Sequence, residues 1–87
     1  MVSKPVHITT HARFELWRRG IRPAEVVATI RNPGQILPSY KGRQIFQSRL
    51  GSAGRLLLRV IVKEDATGYH VVTAYKTSKV AKYWRQP

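Results

Sequence analysis

Cysteine is absent from this chain and carboxylates are scarce, with Glu15, Glu25, Glu64 and Asp65 the only four. Without a thiol there is neither a disulfide framework nor a thiolate metal site, which suits the cytoplasm. The acidic residues form no carboxylate pair suited to glycosidase chemistry. No glycine-rich phosphate cradle and no Gly-x-Ser-x-Gly elbow is present. No apolar run approaches the roughly 18 residues of a membrane span, and the N-terminus leads into no apolar signal segment. Most enzyme classes fall away, no membrane partner is expected, and neither is any cofactor.

What the chain has is positive charge. Sixteen Lys and Arg against four acids give a net charge of +12 over 87 residues. The cations run along the whole chain rather than in a tail, so the positive potential belongs to a folded surface. Ten of the sixteen are Arg, whose planar fork suits phosphate better than an ammonium does. The partner expected is a polyanion, RNA above all. A hydrophobic fraction of 43% is that of a globular chain, and the length leaves room for one domain, residues 1–87.

Val6-His7-Ile8 is short and β-favouring. Thr9 or Thr10 can cap a helix from about His11 to Arg19. At helical pitch Phe14, Trp17 and Ile21 form an apolar stripe widened by Ala12 and Leu16, with His11, Glu15 and Arg18 on the wet flank. Gly20 fits a left-handed C-terminal cap and Pro23 a first helical position, so a second helix with Val26, Val27 and Ile30 follows and ends at Asn32-Pro33-Gly34. Strands are expected at Gln35 to Pro38, Arg43 to Arg49, Leu56 to Lys63 and Tyr69 to Tyr75, joined by short glycine-bearing turns. Ser78 can cap a last short helix through Trp84. The fold class expected is α+β: an N-terminal helical hairpin on one face of a roughly four-stranded antiparallel sheet, with a short C-terminal helix. The other sheet face would be partly open.

Strand alternation separates Leu56, Leu58, Val60 and Val62, the core face, from Leu57, Arg59, Ile61 and Lys63. In the last strand Tyr69, Val71, Thr73 and Tyr75 share a face, expected beside Arg59. The plainer alternative is a solvated arginine with tyrosines as amphipathic cover. His11 is a candidate proton donor or acceptor, or simply a cap or a partner of Glu15 one turn on. His7 and His11 have zinc-like spacing, but the β-branched run between them argues against one helix carrying both, and no metal is expected. Roles for His7 and His70 stay open. Tyr75, Lys76 and Lys79, with Lys82, Tyr83 and Arg85, mix cations with rings as RNA surfaces do.

At His11-Ala12, Leu16, Arg19-Gly20-Ile21, Val26-Val27, Asn32-Pro33, Arg59-Val60-Ile61-Val62, Val72-Thr73-Ala74-Tyr75-Lys76-Thr77 and Tyr83-Trp84 the chain resembles a widespread prokaryotic family of small domains of unknown function. More distantly, two helices followed by an antiparallel sheet resemble the RelE and BrnT ribonuclease toxins of toxin-antitoxin pairs, a likeness of fold. The resemblance implies a metal-independent endoribonuclease that cleaves RNA by 2′-OH attack and is neutralised by an acidic antitoxin. In that reading His11 moves protons, Arg59 with Lys63 or Lys79 stabilises the phosphorane, and Tyr75 and Thr73 orient sugar and phosphate. Lys63, Lys76, Lys79, Lys82, Tyr83 and Arg85 would bind RNA. The alternative is a non-catalytic RNA- or DNA-binding module, in which His11 is only a cap.

Overall fold

The computed structural model describes residues 4–86. Thr9, in extended backbone, accepts the amide hydrogen of Ala12 at 3.0 Å and starts α1 (Thr10–Arg18). Gly20 ends it at φ 68, so that Ile21 N donates to Leu16 O at 2.9 Å and Gly20 N to Trp17 O at 3.1 Å. This is the paired closure that a left-handed residue after a helix permits. Pro23 opens α2 (Pro23–Arg31), where the Glu25 carboxylate accepts from the Arg22 amide.

The expected stripe on α1 is wrong by part of a turn. Phe14 and Trp17 are 55% and 75% exposed, whereas Ala12 and Leu16 are buried. The reason is that at about 100° per residue Ala12 and Leu16 lie nearly opposite Phe14 and Trp17, so only one of the two pairs can face the sheet, and Ile21, beyond the end of α1 at Arg18, does not extend the projection. The turn at Gly20 instead carries Ile21 back beneath Leu16, and both join the core.

The sheet has five strands in the order β1-β5-β4-β3-β2: β1 (Val6–Ile8), β2 (Gln35–Pro38), β3 (Gln44–Leu50), β4 (Leu56–Asp65) and β5 (Gly68–Thr77). It is mixed, not the four-stranded antiparallel sheet expected, because β1 adds parallel to the edge of β5. Tyr69 N donates to Pro5 O at 2.9 Å at the start of that pairing. The approach needs Gly68, where any Cβ would collide with the Pro5 carbonyl. The helices do not pack as a hairpin. α1 lies over β5, and α2 lies over β3 and β4.

Both helices cover one sheet face, where Leu16, Ile21, Val26 and Ile30 meet Phe46, Leu58, Val60, Val62, Val71 and Ala74. The core face of β4 is as expected except at its start, where Leu56 is 39% exposed. A register shift opposite Ile61 and Val62 leaves Val72 without a partner. That bulge brings Val71 and Ala74 to the same core face although they are three apart, overturning the simple alternation expected for β5.

The last helix, α3 (Val80–Tyr83), is a single turn rather than a helix through Trp84. Thr77 Oγ1, not Ser78, accepts the Lys79 amide at 3.1 Å. Trp84 is extended and packs on Gly34, which has no side chain to keep the ring away.

Candidate nucleic-acid interface

The face of the sheet turned from α1 and α2 carries a row of polar side chains. Gln35, Gln47, Arg59 and Tyr75 stand directly opposite one another on β2, β3, β4 and β5. Gln47 Nε2 donates to Gln35 Oε1 at 2.8 Å, Arg59 Nε to Gln47 Oε1 at 2.9 Å, and Arg59 Nη1 to Tyr75 Oη at 2.6 Å.

The C-terminal turn closes over this row. The Tyr83 ring lies 4.1 Å from the Arg59 guanidinium carbon, and the Tyr83 carbonyl accepts from Gln47 Nε2 at 3.1 Å. Gln35 grips Arg85 twice, donating to its carbonyl at 2.6 Å and accepting from its amide at 3.0 Å. Arg59 is thereby only 7% exposed. Its partners are an amide, a phenol and an aromatic face, and no carboxylate meets it among the described residues. Burying a cation so is costly, and the ring beneath it offsets part of that cost.

Charge is segregated around this row. Glu15 meets Arg18 at 2.8 Å, Glu25 meets Lys76 at 3.1 Å and Arg22 at 3.3 Å, and Glu64 meets Lys4 at 2.9 Å. Asp65 sits at the β4–β5 turn with His70 at 3.0 Å. Its carboxyl is held far below the ordinary range, by the Thr67 hydroxyl first and then by His70. Burial pushes Glu25 up, but hydrogen bonds from Lys76 and Arg22 outweigh it and leave the carboxyl below its ordinary value. The hydrogen bond to Glu64 raises Lys4. Every acid therefore lies on the helix side or at the β4–β5 turn. The opposite end of the sheet holds Arg49, whose guanidinium lies 4.8 Å from the Trp84 ring centre, and Lys82, 5.1 Å from that of Tyr83. Arg55, Lys79 and Arg85 are exposed beside them.

Of the residues singled out from sequence, Arg59 and Tyr75 come together, and Lys79, Lys82, Tyr83 and Arg85 gather in the turn above them. His11 does not join them. It is exposed in the first turn of α1, and the sheet lies between it and the Arg59 side chain. Glu15 is taken by Arg18 and Arg19, not by His11. Thr73 Oγ1 accepts from Arg19 Nη1 at 3.0 Å. Lys63 is exposed near the β4–β5 turn, and Lys76 is committed to Glu25 on the helix side. His7 stacks on His70 with ring centres 4.8 Å apart, far from a shared helix with His11. Among the described residues no three His, Asp or Glu gather as a metal site.

Gln35, Gln47, Arg49 and Arg55 were not legible as site residues. Gln47 stands in β3 among other polar residues, Gln44, Ser48 and Arg49, so nothing in the sequence marks it, and only the β3–β4 register makes it the partner of Arg59.

Two helices behind a sheet whose other face carries a buried arginine beneath a basic, ring-bearing turn define a small α+β domain. Residues 8–80 match the family described as a domain of unknown function (DUF4258), and the chain belongs to that family. The matched stretch holds both helices and the polar row, and ends just before Tyr83. No curated protein and no solved structure matches the chain significantly.

Proposed function

We propose that this domain binds single-stranded RNA along the C-terminal end of the sheet face turned from the helices. The observation that carries the reading is the segregation of charge. All four carboxylates are held elsewhere, while Arg49, Arg55, Lys79, Lys82 and Arg85 border that end with Tyr83 and Trp84 among them. Cations meet phosphates, and rings beside them suit the unstacked bases of a single strand better than a duplex. The test is anisotropy of a labelled single-stranded RNA. Lys79→Ala with Lys82→Ala is expected to weaken binding clearly more than Arg13→Ala with Arg18→Ala on the helix side. Equal losses would mean that net charge alone, not this face, binds the strand.

Cleavage is a second reading, implied by the resemblance to RelE and BrnT toxins and favoured by one contact, the 2.6 Å hydrogen bond from Arg59 to Tyr75. In that reading the turn bearing Tyr83 lifts, Arg59 stabilises the phosphorane and Tyr75 orients the sugar. His11, across the sheet, would act on a different part of the strand or not at all. An acidic antitoxin would compete for the same basic end. Chelator-resistant cleavage by the wild type that Arg59→Gln abolishes would establish it, and intact RNA would leave the binding module.

A further inference from the structure

The basic end contains a built groove. It lies between the β3–β4 connection and the start of the C-terminal turn, has a volume of about 530 Å³, and is lined by Arg49, Gly54, Arg55, Ser78, Val80 and Ala81 among others. That volume falls within the roughly 300–1,000 Å³ of small-ligand sites. Its walls differ in chemistry. Arg49 and Arg55 line it from the β3–β4 side and Ser78, Val80 and Ala81 from the C-terminal segment, and no carboxylate lines it among the described residues.

Arg49 is held in place rather than merely present. The Arg49 stem runs against Gly54, where an added Cβ would lie 3.2 Å from its Cδ, and its guanidinium rests on the Trp84 ring. One face of the guanidinium is thus covered, while neither Arg49 nor Arg55 meets a carboxylate among the described residues. A ligand that satisfies both walls carries an anion at one end and a flat, largely apolar body at the other. A nucleotide has that chemistry.

We propose that this groove seats one nucleotide of the bound strand, its phosphate between Arg49 and Arg55 and its base against Val80 and Ala81. The proposal rests on the RNA reading above and specifies one seat within it. A seat of this kind works without the rest of the strand, which a diffuse basic surface does not.

The test is an amide-resolved NMR titration of the whole protein with uridine 5′-monophosphate, uridine and inorganic phosphate, alongside RNA anisotropy. Uridine monophosphate is expected to perturb the amides of residues 51–55 and 78–81, and to bind more tightly than uridine or phosphate alone. Arg55→Ala is expected to weaken it by about tenfold or more, the order of one charge-assisted contact. Ala81→Glu, at an exposed position, places a carboxylate in the groove and is expected to do the same without disturbing the fold. Equal binding of phosphate and uridine monophosphate would overturn the proposal, because the site would then be an anion patch. Perturbation elsewhere, or RNA binding with no mononucleotide binding, would also overturn it while leaving the RNA reading intact. Mononucleotide binding without strand binding would sink the RNA reading and leave the groove as a free-nucleotide site.

Discussion

Arg59 joins β4 to β3, to β5 and to the C-terminal turn. Its charge is buried, yet every group it touches is neutral, so its stability rests on hydrogen-bond geometry and on the ring of Tyr83. Gln47→Leu would leave Arg59 Nε without its acceptor and is expected to cost about 1–3 kcal/mol in urea unfolding. Adding Arg59→Met removes the stranded charge and is expected to recover much of that loss. A single variant as stable as wild type would contradict the hydrogen-bonded row. Asp65 is the other residue with a clear signature. Its carboxyl is held low in the folded state by Thr67 and His70, so the stabilisation is complete above the unfolded value of about 4 and is lost as pH falls below it. Asp65→Asn should therefore lower stability at neutral pH and flatten the acid limb below about pH 5, so that variant and wild type converge in acid. An unchanged acid limb would count against the Asp65 contacts. Arg59 was legible as an unusual cation in an aliphatic strand. Its burial was not, since that depends on Gln47, twelve residues away, and on a turn from the far end of the chain.

Among the elements, those closed by local chemistry were readable. Thr9, Gly20 and Pro23 bound the helices from within a few residues, and short β-favouring runs between glycine-bearing turns identified the last four strands. Non-local choices were not readable. Nothing in Val6-His7-Ile8 names β5 as its neighbour, and nothing in Val71-Val72-Thr73 announces a bulge, because each answers to a partner strand. The stripe on α1 failed because it joined Phe14 and Trp17 to Ala12 and Leu16, which lie on nearly opposite flanks of the helix, and ran on to Ile21 past its end. The C-terminal turn is the element whose tether is most open to test. It is held by Trp84 on Gly34 and by the amides of Gln35 and Gln47. Trp84→Ala should speed amide exchange of residues 80–86 and expose Arg59, while the strands keep their protection. Uniform loss of protection would mean that the turn is part of the core instead of a cover on it.

For the whole molecule the governing fact is a net charge of +12 that the fold distributes unevenly. Such a charge opposes compaction by self-repulsion, and an anionic partner relieves it. The sign and size of the charge are plain in the sequence. Its segregation is not, because it arises when folding places Glu25 beside Lys76 and Glu64 beside Lys4 and leaves the far end of the sheet to cations. The most direct measurement of the central claim is the affinity for single-stranded RNA as a function of salt, for the wild type and for Lys79→Ala with Lys82→Ala. The logarithm of affinity is expected to fall linearly with that of salt, with a slope of roughly 0.7 for each phosphate neutralised, and the double variant is expected to lower the slope by about 1.4. A flat salt response of the wild type, or a slope unmoved by removing both lysines, would contradict an RNA-binding face at this end of the sheet.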